Sequence, residues 1–486
     1  MNGPASRGVV LAVDQGSSST RCVAYDDRMR VVGTAVSPVA ASRPGPGMVE
    51  HDPVALLDGV LAVLDEARAG SDVAAVGIAN QTETFVVWDA ETGDAVSPLI
   101  SWQDQRAEQE ARARDGHADG VTALTGLPLD PTFSAPKLAW LFERDAGLLR
   151  RAERGELLVG DVACWLAWKL SGGAAHVTEP SNASRSLLLD LDALHWDAWL
   201  CDLFGVTGTM LPEVRRSDAP GVGTSGAVAG FEAPIAAMLG DQQAALYGQG
   251  CTRPRMAALT LGTGAFLWLN VGPERPDPPG GVLATAAWDT ARGRAYALEA
   301  FGANAGNALS LLRQLGLLSG PPSPMPDWSR RRPVLVPAPA GLGTPRWHGA
   351  DRITLLGAAS TTTAGDLHGA AVAGIAHQIV DALEAQHAAT AMDVIRVGGG
   401  LAADASLLQA VADLAGLELE VSSLLEASAH GIAVLAAEAA GVVAEAAAAP
   451  AVARTVAPRL DADGRERERD RWRRAVDVHV GERAAV

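Results

Sequence analysis

The sequence predicts an α/β protein built as two lobes, and three observations carry that expectation. At 486 residues the chain is too long for one ordinary core, since domains usually run to about 100–200 residues. Apolar, β-branched runs alternate with helix-like periodicity through its N-terminal part, which is how a sheet covered by helices reads. A strand, a turn of small residues and a second strand open the chain near Val9 and recur near Met256, a weak mark of internal duplication. The lobes are accordingly set at residues 1–247 and 248–486.

Along the chain, Val9–Val13, Thr20–Tyr25 and Val31–Val36 read as a strand meander whose first turn is Asp14-Gln15-Gly16-Ser17-Ser18-Ser19. A helix is expected over Pro53–Ala69, with Asp52 as N-cap, Pro53 at the first helical position, Leu57, Val60, Leu61 and Leu64 on one face, and Gly70 as stop. Val73–Ala79 is the next strand. Trp165 and Trp168, at helical spacing between Asp161 and Leu170, mark a packed core helix and no chemistry. Pro234–Leu239 is strand-like and runs through Gly240-Asp241-Gln242-Gln243 into an apolar helical segment, which puts Asp241 at a strand-to-helix turn. In the second half, Met256–Leu261, a turn at Gly262-Thr263-Gly264 and Phe266–Asn270 repeat the opening pattern. The Pro- and Gly-rich stretches Gly272–Gly281 and Gly320–Pro333 read as loops. Ala-rich Ile432–Ala449 reads as a helix, and the charged run Arg465–Arg474 as its solvated neighbour.

Composition narrows the class. Hydrophobic residues make up 48% and charged residues 20%, ordinary values for a folded protein. The 57 acidic residues against 39 basic ones, net charge -18, argue against a nucleic-acid partner and favour a neutral co-substrate. Cys22, Cys164, Cys201 and Cys251 are far apart and suggest neither a zinc site nor a disulfide framework, only buried thiols. The apolar run before Asp14 is too short for a signal-peptide core, and no run reaches about 18 apolar residues. A cytoplasmic protein without a membrane partner is expected; the oligomeric state, a homo-oligomer included, stays open.

Three small-residue turns stand out: Gly16-Ser17-Ser18-Ser19-Thr20, Gly262-Thr263-Gly264 and Gly398-Gly399-Gly400. Phosphates need bare backbone N–H groups and short hydroxyls at close range, which Gly, Ser and Thr provide. Each turn alone reads more often as an ordinary tight turn, because Gly serves any turn with positive φ; three in one chain shift the balance. Asp14 and Asp241 each end an apolar strand beside a Gly. One is placed to hold Mg²⁺ on ATP through water and the other to accept the proton of an attacking hydroxyl, although either also fits a turn or cap Asp. Phosphate loops of the G-x-x-x-x-G-K-[ST] kind, G-x-S-x-G elbows and His clusters are missing from the sequence.

Several longer segments carry a resemblance. Val13–Arg21, Val49–Pro53, Asn182–Arg185, Met210–Arg216 and Gly240–Leu246, with Gly262–Gly264, Gly341–Gly343 and Gly399-Gly400, resemble glycerol kinases of the FGGY carbohydrate kinase family, in the same order, from about Val9 to about Val443. The resemblance implies two ribonuclease-H-like lobes of the actin and hexokinase type around a nucleotide cleft, and ATP-dependent phosphorylation of glycerol or a related small, neutral polyol or sugar. It implies Asp241 as catalytic base and second candidate metal ligand, Asp14 as organiser of Mg²⁺ through water, and Ser17, Ser18 and Arg21 at the phosphates. Gly262, Thr263, Gly306, Gly399 and Gly400 would line the nucleotide site, with Asp404 where the family usually has an adenine-contacting Asn. At a helix N-terminus, Asp241 is expected to stay ionised near neutral pH.

The acceptor would lie against Glu83, Trp102, Asp241, Gln242 and Phe266, a set with carboxylates and an amide for hydroxyls and aromatic faces for C–H groups. Two positions depart from the family. Thr82 stands where glycerol kinases have Arg, and Thr132 where they have Tyr, which leaves a roomier pocket with fewer donors. A four- or five-carbon polyol or sugar, whose extra hydroxymethyl groups fill the vacated volume, is thereby at least as good a fit as glycerol, unless nearby loops supply other donors. Ser225–Pro234 lacks the Arg of the fructose-bisphosphate loop found in some bacterial members, so that regulation is expected to be missing. The alternatives are a catalytically impaired actin-like regulatory protein and a kinase of another sugar class, such as the pentulose type.

Overall fold

The computed structural model describes residues 8–318, 326–330, 332–349, 352–443 and 450–481. The first sheet contains β1 (Val9–Gln15), β2 (Ser19–Tyr25), β3 (Val31–Pro38), β4 (Val73–Asn80), β5 (Val222–Gly223) and β6 (Pro234–Gly240), in the order β5-β6-β4-β1-β2-β3. Strands β1, β4 and β6 run parallel, whereas β2 and β3 form the antiparallel meander. Helix α1 (Pro53–Arg68) covers one face; Asp52 caps it by accepting from the amides of Val54 and Ala55, and Ala69 ends it in the left-handed region. Its buried stripe is Leu56, Val60, Val63, Leu64 and Ala67. Leu57 and Leu61, expected on that face, lie half-buried at its margin, because the stripe follows the i, i+4, i+7, i+11 row from Leu56.

The second sheet repeats the plan. It consists of β7 (Met256–Leu261), β8 (Ala265–Gly272), β9 (Leu283–Thr290), β10 (Gly293–Gly302), β11 (Val394–Gly398), β12 (Leu419–Ser422) and β13 (Val452–Val456), in the order β9-β10-β8-β7-β11-β12-β13. The series β10-β8-β7-β11-β12 has the same parallel and antiparallel pairings as β3-β2-β1-β4-β6, so the duplication hinted at by two short turns extends over five strands. Between β4 and β5 the chain adds α2 (Val162–Leu170), where Trp165 packs against Trp88 with ring centroids 5.2 Å apart, and three strands, Phe85–Asp89, Leu99–Ile100 and Leu157–Asp161, that form a separate four-stranded sheet with Glu50–His51 from between β3 and α1.

Two helices join the lobes. Helix α3 (Asp241–Gly248) follows β6, and α6 (Ala427–Ala439) follows β12. One continuous core contains Val10, Ala12, Ala75 and Leu239 of the first sheet, Ala258, Trp268 and Ala297 of the second, and Leu246, Ile432 and Ala436 of the helices between them. The helices cross at backbone contact: a Cβ on Gly248 would lie 2.0 Å from the carbonyl oxygen of Ala427, and one on Gly431 would lie 1.9 Å from that of Ala244. Only glycine permits this approach.

Two expectations need correction. The Ala-rich helix ends at Ala439 rather than continuing to Ala449; residues 444–449 lie outside the described ones, as do parts of the expected Gly320–Pro333 loop. The charged run belongs to α7 (Ala462–Gly481), and one side of it is core. Trp472 is fully buried, donates to Asp381 and stacks on His377, while Arg469 bonds Asp381 and Glu384. A single Trp among charges anchors the packing of the helix. All four cysteines are free, buried thiols.

Candidate active site

The site is assembled where β1, β4 and β6 end, because parallel strands present their following turns on one side of a sheet. Strand β1 delivers Asp14, register partner of Arg21 in β2. The next turn closes as the Gly16 amide donates to the Ser19 carbonyl. Ser18 is exposed and Ser17 half-buried. The Ser17 hydroxyl accepts from the Trp102 indole at 2.9 Å, so the first small-residue turn and an expected acceptor residue are physically tied. Arg21 does not stand free for a phosphate: it forms an ion pair across the cleft with Glu426, just before α6.

Asp241 begins α3. Its Oδ1 accepts from the Gln242 amide at 2.7 Å, its carbonyl accepts from Ser428 of α6, and the preceding Gly240 amide donates to Ser181. Burial, followed by the charges of Asp14 and Glu83, pushes the Asp241 carboxyl up to about 8. This corrects the expectation of an ionised Asp at neutral pH, since desolvation and crowded carboxylates outweigh one helix terminus. Asp14 is raised to about 6, again by burial, with Arg21 opposing.

Of the residues expected to hold the acceptor, Thr82, Glu83 and Gln242 lie beside this pair. Glu83, at φ 60, accepts from Thr82 Oγ1 at 2.6 Å and from Arg185 at 2.5 Å. Thr82 turns its methyl towards Gly240, 2.5 Å from where a Cβ there would stand. Gln242 Oε1 is buried without a hydrogen-bond partner, an acceptor suited to a hydroxyl. Phe266 begins an aromatic series, 4.8 Å from Phe301, which lies 6.4 Å from Trp347. Thr132 is half-buried, and its amide donates to Asp130.

Across the cleft, the turn at Gly262, Thr263 and Gly264 stacks on the start of α4 (Gly306–Gln314): the Gly306 amide donates to the Gly262 carbonyl and the Asn307 amide to that of Thr263. A Cβ on Gly306 would lie 2.8 Å from the Gly262 oxygen, whereas Gly262 and Gly400 face open space. Gly399, at φ 89, lies against Leu261, with 2.4 Å to that carbonyl oxygen from a Cβ. The second and third turns are therefore neighbours. Asp404 caps α5 (Ala405–Ala415) by accepting from the amides of Ser406 and Leu407, a bond that a short polar side chain makes readily at a helix start.

The N-terminal domain of the FGGY family of carbohydrate kinases matches residues 9–248, and its C-terminal domain matches residues 257–440. The chain belongs to that family. Its members are ATP-dependent phosphotransferases, which favours a kinase over a regulatory actin-like protein. It is 42% identical to a glycerol kinase of Citrifermentans bemidjiense, over 97% of this chain and 99% of the relative, and 39% identical to one of Cereibacter sphaeroides, over 96% and 98%. The crystal structure of Plasmodium falciparum glycerol kinase with ADP superposes with a TM-score of 0.91 at 26% identity, covering 97% of this chain and 98% of that one. A ligand-bound xylulose kinase from Lactobacillus acidophilus has a TM-score of 0.85 at 17% identity, over 98% and 99%, a likeness of fold.

Three further residues of this kinase complete the site. Arg185 lies buried between Glu83 and Glu299, 2.8 Å from the latter, with its guanidinium over the rings of Phe133 and Trp268. Glu299, the register partner of Trp268 in the second sheet, is also among the charges that raise Asp241. Lys137 is wholly buried beneath the acceptor segments. Arg185 was visible in the sequence only as the end of the Asn182–Arg185 segment, without a role, and the lone Glu in the apolar run Tyr296–Phe301 is the signal that could have found Glu299.

Proposed function

We propose that this chain is an ATP:polyol kinase of the glycerol-kinase type, with Asp241 as general base. Residues 1–247 supply the acceptor site and first phosphate turn, and residues 248–486 supply the second turn and the adenosine side. The observation that carries the reading is Asp241 itself. A carboxyl raised to about 8 sits between Asp14, Glu83 and the unpartnered Gln242 oxygen, in a chain 42% identical to a glycerol kinase along nearly its whole length.

The acceptor is a neutral polyol of roughly three to five carbons, its C–H edge on Trp102 and Phe266 and its hydroxyls on Glu83, Gln242 and Asp241. Arg185 supports this reading: it gives Glu83 the guanidinium that Thr82 lacks, so loss of the family's Arg leaves no bare buried charge. In the reaction the acceptor oxygen forms its bond to the γ-phosphorus, the bond from that phosphorus to the ADP oxygen breaks, and the hydroxyl proton passes to Asp241. Orientation counts for more than basicity in such loose phosphoryl transfer. The Gly262–Gly264 and Gly398–Gly400 turns would present amides to phosphate oxygens, and Arg21 would join them after releasing Glu426.

Mg²⁺ fits the donor set. Asp14 and Asp241 are hard oxygen ligands whose charges oppose each other, and among the described residues no larger ligand cluster exists, as suits an ion held chiefly by phosphate and water. It supplies charge neutralisation on the phosphates. A cytoplasmic setting is in keeping with four unpaired thiols, and no described helix is long and apolar enough to cross a membrane. A coupled ADP-release screen over glycerol, tetritols, pentitols and ketoses tests the reading: at least one polyol must raise the basal rate strongly, and silence throughout would overturn it.

A further inference from the structure

Of the residues read as the acceptor site, Glu83, Trp102 and Thr132 come from three separate segments, and one side chain reaches all three. Lys137, in the helix Ser134–Arg144, has no solvent exposure. Its Nζ donates to the carbonyl of Thr132 at 2.6 Å, to that of Ser101 at 2.9 Å and to that of Glu83 at 3.3 Å. Ser101 immediately precedes Trp102, and Ser134 adds a second donor to the Glu83 carbonyl at 3.1 Å. An ammonium has three N–H donors and no acceptor, so the three carbonyls match it one for one. Such a group costs much to bury.

We propose that Lys137 is the positioning residue of the acceptor site, a buried ammonium that holds the backbone of Glu83, Trp102 and Thr132 in one geometry. The role rests on the acceptor site read above and extends it to a group that never touches the substrate. It also makes acceptor binding sensitive to pH. Burial lowers the Lys137 ammonium to about 7, while Glu83, Asp104 and Asp130 support its charge and Arg106 opposes it. Below that pH all three carbonyls have a donor. Above it the neutral amine keeps two N–H groups and turns a lone pair towards the third carbonyl, and the segments loosen.

Two measurements decide the matter. Amide hydrogen exchange compares wild type with Lys137→Met: segments 82–84, 101–102 and 130–133 should lose protection at least tenfold while the sheets β1–β4 and β7–β11 do not change. The readout does not depend on turnover, so it stands even if the polyol-kinase reading fails. In wild type, the KM for the best polyol should rise with pH above about 7 while the KM for ATP and the acceptor-free ADP release stay level, a split that a general stability role would not produce. Should Lys137→Met not fold, protection factors of the same three segments in wild type at pH 6 and pH 9 carry the test, with a loss expected at pH 9, because Asp241, raised to about 8, titrates against the acceptor as well. Unchanged exchange in those segments, or an acceptor KM flat from pH 6 to 9, overturns the proposal.

Discussion

Replacing Asp241 by Asn should make the kinase more stable and nearly inactive at once. The native carboxyl is raised from 3.8 to about 8, so the native state binds more protons than the unfolded chain throughout that window. Stability must therefore fall as pH rises across it, and the full cost is reached by about pH 8. Each tenfold change in proton affinity is worth about 1.36 kcal/mol, so the cost at pH 7 has a ceiling of about 4 kcal/mol. Asp241 keeps partial contact with water, and screening leaves about 1–2 kcal/mol of relief to be expected from the neutral amide. For a cooperative unit of one lobe's size or larger that corresponds to a Tm rise of at most about 2–8 °C. Asn can still accept from the Gln242 amide, so the start of α3 is preserved. The assay is differential scanning calorimetry at pH 5, 7 and 8.5, with kcat measured alongside. The gain in Tm should grow with pH, ATP binding should stay near normal, and kcat should fall by at least about two orders of magnitude. A variant within tenfold of wild-type kcat, or a Tm gain that does not depend on pH, would refute the assignment of Asp241 as a crowded, buried base.

Asp14→Asn removes the largest charge acting on Asp241, so the acid limb of kcat/KM against pH should move below its wild-type position near 8; an unmoved limb would separate the two carboxylates. Glu426→Gln releases Arg21 from its cross-cleft ion pair, and the KM for ATP should fall about two- to fivefold, the range of a partly exposed pair; no change would mean that Arg21 does not meet the phosphates. Thr82→Arg with Thr132→Tyr should shift the ratio of kcat/KM values towards glycerol and away from larger polyols by about 1–5 kcal/mol; if wild type already prefers glycerol over every larger polyol, the roomier pocket is wrong.

Much of the fold was legible because its signals are local. The opening strands, the capped helix at Pro53 and the turn at Gly240 are each written within a short run of neighbouring residues. So was the position of Asp14 and Asp241, which follows from strands that end beside glycines. What stayed hidden depends on partners far away in the chain. Arg185 reaches Glu83 and Glu299, and Lys137 reaches carbonyls of Glu83 and Ser101; no periodicity announces a backbone acceptor. The state of Asp241 was misjudged for the same reason, since the helix terminus is local and the opposing carboxylates are not. In α7 the charges were read and Trp472 was overlooked, although one large aromatic among arginines is itself a sign of a buried stripe.

The crossing of α3 and α6 bears on how the protein comes into being on the ribosome. Val10, Ala12, Ala75 and Leu239 of the first sheet are covered by Ile432 and Ala436, residues that are synthesised only after most of the second lobe. Until then the finished N-terminal strands present an uncovered apolar face to water and to one another, the condition in which nascent chains associate or recruit chaperones. The family's two domains meet near residue 250, but the folding unit is not divided there: each half is translated with a gap that only the other half fills.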